Sequence, residues 1–329
     1  MCGKLRLHLN MGKIITLTMN PVLDKDTSVA GIKPNTKLRC ITPTYYAGGG
    51  GINVSRAIKK LGGESLCMYL AGGPAGAHLK QLIKEDAITQ EIIPIEGWTR
   101  ENLSVTDTTT NLQYRFGVPG PNVTGIEWQR VLKLLENHLQ KNDFLVASGK
   151  LPPGVPADFY VRVSKITERI GAKLVLDTSG DALLPSLRAK IYMMKPNLGE
   201  LSILCGVDFI SAIELESLTK MVLEQYDCEI LVVSMGAKGA LLASGELIEH
   251  ILAPTVQQKS TIGAGDSMVA GMVLSMMQGK PLIEMVKYGV ACGTAATLHP
   301  GSQLCNKEDA DNLYAWISAN TVKKNKKGK

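Results

Sequence analysis

Short apolar runs alternate with amphipathic stretches along most of this 329-residue chain. Ile14–Met19, Phe144–Ala147, Lys173–Leu176, Ile191–Met194 and Ile230–Val233 are compact and apolar, the pattern of strands buried on both faces. Helices are predicted between them at about 126–141, 156–170, 199–205 and 211–226. Others are predicted from the glycines at 48–51 to about Leu61, over 266–278 and over 282–298. Alternating strand and helix predicts an α/β domain with a mainly parallel central sheet and helices on both faces. Two segments break the pattern. Residues 25–46 are polar and rich in Thr and Lys, and 96–118 alternate polar with apolar positions, with Thr106–Thr110 as a turn. Together they predict a small β-sheet lid. The expected organisation is an extension at 1–10, one domain over 11–322 and a basic, disordered tail at 323–329.

Composition narrows the function classes. No apolar run reaches the roughly 18 residues of a membrane span, and the start MCGKLRLHLN lacks the apolar core of a signal peptide. Seven scattered cysteines without a CxxC pair read as reduced cytosolic thiols, so the expected location is the cytoplasm. Five scattered histidines suggest no zinc site. The net charge of +6 sits at the ends. Setting aside five lysines in 323–329, together with Lys4 and Arg6, leaves −1 for residues 11–322. A near-neutral body argues against a nucleic-acid partner.

The chemistry is concentrated in Ser260-Thr261-Ile262-Gly263-Ala264-Gly265-Asp266-Ser267. Glycines lead into an acid and then an apolar helix. The first N–H groups of a helix lack intrahelical partners and face the positive end of the dipole, so such a loop suits a phosphate oxyanion. Asp266 beside it can take a proton from an attacking hydroxyl, or can simply cap the helix. Gly48–Gly51 fit neither a P-loop nor a dinucleotide fingerprint. They allow a ligand to lie against bare backbone, or a tight turn with close helix packing, and Asn53 follows in the first turn. Lys195-Pro196-Asn197-Leu198-Gly199-Glu200 places Asn197 and Glu200 on one face of a helix start. That pair suits a hydrated Mg²⁺ or an ordinary helix cap. Ser234-Met235-Gly236-Ala237-Lys238-Gly239 reads as a turn able to support a nucleotide, or as a hairpin turn. Asp24 and the loop from Ser148 to Gly154 follow strands, at the edge where open α/β sheets bind ligands. Lys37, Arg39 and Arg100 fall in the lid and suit a phosphorylated sugar, or are solvated surface charges.

These pieces occur in an order that resembles the PfkB family of carbohydrate kinases, which have the ribokinase fold. Ala47–Ala57 (AGGGGINVSRA) looks like the family's N-terminal signature and Ser260–Ala270 (STIGAGDSMVA) like its C-terminal one, with Lys195-Pro196-Asn197 and Glu200 between them. The likeness covers residues from about 12 to 318. Within the family the chain looks most like the bacterial 6-phosphofructokinase isozyme 2 branch. That likeness rests on Lys37–Cys40, Gly48–Val54, Trp98–Leu103, Tyr114-Arg115-Phe116 and Tyr288–Cys305.

The resemblance implies ATP-dependent phosphorylation of the C1 hydroxyl of fructose 6-phosphate, a glycolytic step. Tagatose 6-phosphate or fructose 1-phosphate are the alternative acceptors. A non-catalytic sugar-phosphate sensor is the alternative of another class, against which a retained Asp266 and glycine loop argue. It implies Asp266 as base, with Gly263, Ala264, Gly265 and the Asp266 N–H as the anion hole. Lys195, Asn197 and Ser234–Gly239 would meet ATP, and Glu200 would hold Mg²⁺ through water. Asp24, Gly49, Gly50, Asn53 and Ser148 would hold the sugar, with Lys37, Arg39 and Arg100 at its phosphate. It further implies a monovalent cation (K⁺) at Ser260, Ile262, Ala296 and Gly301, and a homodimer through the lid. Gly199 and Lys150 depart from the branch, where lysine and serine stand, and an aromatic is absent around Ile32-Lys33-Pro34. These departures leave an inhibitory second ATP site unsupported.

Overall fold

A computed structural model describes residues 12–299, 301 and 303–327. The expected extension at 1–10 lies outside them. In chain order the elements are β1 (Ile14–Thr18), β2 (Val22–Val29), β3 (Thr44–Gly48), α1 (Gly50–Lys60), β4 (Leu66–Ala71), α2 (Gly73–Glu85), β5 (Thr89–Pro94), β6 (Arg100–Asp107) and β7 (Leu112–Phe116). Then follow α3 (Gly125–His138), β8 (Phe144–Ser148), α4 (Phe159–Ile170), β9 (Lys173–Asp177), α5 (Leu183–Ser186), β10 (Ile191–Met194), α6 (Leu198–Cys205), α7 (Leu215–Gln225) and β11 (Cys228–Ser234). The last are β12 (Ala240–Ser244), β13 (Leu247–Ile251), α8 (Ala264–Met277), α9 (Leu282–Thr297) and α10 (Lys307–Lys327).

Nine strands form one sheet in the order β13-β12-β11-β10-β9-β8-β1-β4-β5. It is parallel from β5 to β11, and β12 and β13 continue it antiparallel at one edge. Successive strand residues face opposite apolar layers. Leu145 and Ala147 pack with Trp128, Val131, Phe159 and Val163 of α3 and α4. Phe144 and Val146 pack with Val54, Ile58, Met268, Met272 and Met285 of α1, α8 and α9. Being buried on both faces is why these strands read as continuous apolar runs.

The separate sheet has the order β3-β2-β6-β7, with β2 and β6 parallel and both outer pairs antiparallel. This is the expected lid, built from residues on both sides of α1 and α2. Asp107 at the end of β6 ties it together. Its carboxylate accepts from Gly31 N at 3.0 Å, Ile32 N at 3.1 Å and Thr109 N at 2.9 Å. The Thr109 hydroxyl, donating to it at 2.7 Å, and then those backbone donors hold its pKa far below the carboxylate range.

The expected helices and strands are present with shifted ends. Three features were not anticipated: β4, α2 and β5 within 62–95; the hairpin β12–β13; and α10. The last continues through Lys327, so the basic segment begins as a continuation of that helix rather than as a separate disordered tail. Lysine is a good helix former, and the helix is already nucleated upstream. Among the described residues no helix is long and apolar enough to cross a membrane.

Candidate active site

Asp266 lies in the first turn of α8. Gly263 before it is left-handed, with φ 71°, and a Cβ there would collide with Leu304, so only glycine lets the chain enter the helix this way. Glycines also bring α8 against α9. A Cβ on Gly271 would stand 2.6 Å from Cys292 Sγ, and one on Gly293 would stand 3.1 Å from Ala264 O. The first turn of α8 is thereby fixed from behind; Ala264 and Gly265 border the cleft, and the Ala264 N–H donates to Thr261 O at 3.4 Å. Asn53 Nδ2, from α1, donates to Asp266 Oδ2 at 2.9 Å. The carboxylate edge still meets the cleft, yet surrounding protein removes most of its hydration. That desolvation, reinforced by the nearby Asp177 charge, pushes the Asp266 carboxyl up to about 6, against the pull of Asn53, Lys195 and Ser148. A carboxylate poised near neutrality is suited to general-base work.

Thr261, Ala264 and Gly265, just before Asp266, line a cavity of about 600 Å³, the size of a nucleotide-scale pocket. Of the expected nucleotide residues, Lys195, Asn197, Ser234, Gly236, Ala237 and Gly239 line it. Met235 and Lys238 do not. Ser234–Gly239 connects β11 to the antiparallel β12, so it is a strand-to-strand turn as well as a cavity wall. Asn197 and Glu200 form a reciprocal capping box. Asn197 Oδ1 accepts from Glu200 N, and Glu200 Oε2 accepts from Asn197 N, each at 2.9 Å. Capping therefore occupies the Asn197 oxygen and one Glu200 oxygen. The Asn197 amide N–H₂ and the other Glu200 oxygen remain for a ligand. Burial raises the Glu200 carboxyl. Lys195 is buried, with Nζ 3.2 Å from Asp177 Oδ1. Burial disfavours its charge, but Asp177 outweighs that and the ammonium is kept.

The same loop meets the lid through Ile262. The four glycines are close-packing positions. A Cβ on Gly49 (φ 115°) would stand 2.7 Å from Thr18 Cγ2, and one on Gly50 would collide with Ser148 Oγ. Their absence of side chains seats α1 on the carboxyl ends of β1 and β8 and brings Asn53 and Ser148 toward Asp266. Asp24 accepts from Asn102 Nδ2 at 3.1 Å and is raised by burial. Arg100 donates to Val118 O and Asn20 O, at 3.2 and 3.3 Å, while its Nε is buried without a partner. Asn53 Oδ1 is likewise buried and unpartnered. Unsatisfied buried polar atoms in a cleft fit a polar ligand. A second cavity of about 240 Å³ lies beneath the lid, lined by Asp24, Asp26, Asn102, Ser104, Arg115 and Ile262 among others. Lys37 and Arg39 are exposed on the 30–43 connection and, like Arg100, Asn53 and Ser148, line neither cavity.

The loops expected to hold a monovalent cation are adjacent, because Lys259 N donates to Thr297 O at 2.8 Å. Ser260 Oγ accepts from Ile262 N at 3.2 Å, and Gly301 lies beside Asp26. No three His, Cys, Asp or Glu side chains cluster as metal ligands among the described residues.

Sequence reasoning missed Asp177, Asn102 and Arg115. Asp177 ends β9 as Asp24 follows β1, so the strand-end rule would have found it. Asn102 stands opposite Asp24 in the β2–β6 register, a pairing that spacing does not reveal.

The model of the pfkB family carbohydrate kinases matches residues 14–309. The ATP-dependent 6-phosphofructokinase isozyme 2 of Mycobacterium tuberculosis is 39% identical over 302 residues, 92% of this chain and 89% of that protein. The Escherichia coli protein of the same name is 37% identical over 310 residues, 94% and 100% of the two chains. The 1-phosphofructokinase of Bacillus subtilis is 32% identical over 287 residues, 86% and 91%. Escherichia coli phosphofructokinase-2 solved with potassium superposes with a TM-score of 0.90 at 36% identity, over 93% of this chain and 99% of that one. Its complex with fructose-6-phosphate gives 0.87 at the same identity and coverage. A Thermotoga maritima ribokinase, 19% identical, shares the fold with a TM-score of 0.72 over 92% and 98%.

Proposed function

The chain belongs to the pfkB family of carbohydrate kinases, ATP-dependent enzymes of the ribokinase fold, and from that premise we propose that it phosphorylates the C1 hydroxyl of fructose 6-phosphate. The product is fructose 1,6-bisphosphate, and the step belongs to glycolysis. The observation that carries this reading is the position of Asp266. It stands at a helix N-terminus, on a loop whose Ala264 and Gly265 line a nucleotide-sized cavity and whose Ile262 lines the pocket beneath the lid, with its carboxyl near 6.

Asp24, Asn53 and Ser148 hold the sugar so that its C1 hydroxyl meets Asp266. Asp266 takes the proton as the hydroxyl oxygen attacks the terminal phosphorus of ATP and ADP leaves. The Gly263–Asp266 backbone meets the charge on the moving phosphoryl group, a positioning and electrostatic task. Glu200 would hold a hydrated Mg²⁺ through its free oxygen, and the ion would supply neutralisation of the phosphate charge. Asn197 donates to the phosphates, and Arg100 meets the acceptor's phosphate. A monovalent cation such as K⁺ would sit between residues 260–262 and the end of α9 with Gly301; potassium is bound by the Escherichia coli relative.

Leu112, Tyr114 and Phe116 project from one face of β7, and the strand is exposed throughout. A second copy covering this apolar lid makes the homodimer we propose, and brings Lys37 and Arg39 toward a partner's site. We place the enzyme in the cytoplasm.

Purified protein supplied with MgATP and each acceptor in turn tests the reading through ADP release. Fructose 6-phosphate should have the highest kcat/KM. Faster turnover of tagatose 6-phosphate or fructose 1-phosphate would transfer the assignment to that sugar; 1-phosphofructokinase relatives make the latter the specific alternative. No ADP from any sugar phosphate would leave a sensor.

A further inference from the structure

Three acids gather where the phosphoryl group must pass: Asp266, Asp177 and Glu200. Asp177 meets Lys195 Nζ, which itself lies 3.5 Å from the place a Cβ on Gly265, the neighbour of Asp266, would take. A nucleotide triphosphate brings more negative charge to the same place. Lys195 offers little relief, because it is buried and its ammonium is already paired with Asp177 at 3.2 Å. The first turn of α6 adds an acid, Glu200, and its Gly199 carries no side chain. The cleft therefore needs another cation if it is to hold several phosphates.

Lys150 stands where that cation would act. It follows β8 two residues after Ser148, whose side chain reaches Asp266. Its stem crosses the turn after Asp177, with Cδ 4.0 Å from the place a Cβ on Gly180 would take. Gly180 has φ 71° and no side chain, so the stem's path is open. Tyr160 Oη and Thr178 Oγ1 both donate to Gly149 O, at 3.2 and 3.1 Å, and fix the backbone from which Lys150 springs. Glu200 feels its charge. Lys150 is exposed and makes no ion pair among the described residues.

We infer that Lys150 is a nucleotide-phosphate-binding residue, reaching from the β8 loop to the terminal phosphate of ATP and supplying the cation that Gly199 cannot. This rests on the proposed kinase reading. The long stem suits the role: the ammonium can swing with the phosphoryl group while the fixed Gly149 carbonyl anchors its base.

Calorimetric titration of the full chain with MgATP, MgADP and AMP tests it without turnover. Lys150→Met should weaken MgATP about tenfold, the worth of one hydrogen bond to a charged group, weaken MgADP less and leave AMP unchanged. Lys150→Arg should retain most of the MgATP affinity, and Lys150→Met combined with Gly199→Lys should recover part of it. Equal weakening of all three nucleotides, or of none, would overturn the inference. In turnover, the KM for MgATP should rise and the acceptor KM should hold. Because nucleotide binding is read directly, a wild-type protein that phosphorylates no sugar phosphate would defeat the kinase reading while leaving this measurement decisive for Lys150.

Discussion

Asp266→Asn should separate chemistry from stability, because its two effects have opposite signs. The folded protein raises the Asp266 carboxyl from 3.8 to about 6. At 1.36 kcal/mol per unit that is about 3 kcal/mol, and roughly 2–3 kcal/mol once the cleft-facing edge is discounted for solvent screening. A pKa raised on folding means that the protonated form favours the fold. That contribution is complete below about pH 4 and is lost as pH rises through about 6. Above it, the ionised carboxylate weakens the native state by the whole amount. Asparagine has the shape of the protonated carboxyl and keeps an acceptor for Asn53 Nδ2.

The variant should therefore be the more stable protein at pH 8, by roughly 2–3 kcal/mol, with the gain halved near pH 5 and almost absent near pH 4. Unfolding entropy of about 2.1 cal/mol/K per residue converts this to a Tm rise of roughly 3–4 °C for a chain of this length. Turnover should fall by about 10² to 10⁴, the contribution of a positioned general base, with MgATP affinity nearly unchanged. In the wild type, kcat/KM should climb tenfold per pH unit below about 6 and level above it. Differential scanning fluorimetry from pH 4 to 8 and a coupled ADP assay read both effects. A lower Tm at pH 8, or a gain that does not shrink on acidification, would refute the desolvation argument. Near-wild-type turnover would reduce Asp266 to a helix cap.

Two further substitutions probe the acceptor side. Arg100→Ala removes a guanidinium whose Nε is buried without a partner. It should raise the acceptor KM about tenfold or more, the worth of a charged hydrogen bond, while the ATP KM stays put; the reverse split would misplace the lid. Phe116→Asp puts a charge on the exposed apolar face of β7. It should shift the protein from dimer to monomer in light scattering, and an unchanged mass would remove the lid as the interface.

Much of this fold was legible because strands buried on both faces leave unbroken apolar runs, and because helix starts carry their own chemistry. Asn197 and Glu200 illustrate the limit of that second signal. Their spacing admitted both a cap and a ligand pair, and the structure realises the cap, yet a carboxylate with one oxygen engaged still has another to offer. The glycines of 48–51 behave in the same way: collisions with Thr18 and Ser148 account for Gly49 and Gly50 as packing, and that packing is what delivers Asn53 to Asp266. β4 went unread because a short apolar run between glycine pairs fits strand or helix equally, and β5 because its first half, Thr89-Gln90-Glu91, is polar.

The residues that stayed hidden are those whose meaning depends on a neighbour from another strand. Asn102 matters because the β2–β6 register sets it against Asp24. Asp177 matters because the strand order places β9 between β8 and β10, so that one carboxylate neutralises Lys195 and opposes Asp266 at once. A sequence gives the charge of each group but not this sharing. Lys195 counted alone supplies the cleft with a cation; paired with Asp177, it supplies almost none. The need for Lys150 arises from that subtraction, and it exists only in three dimensions.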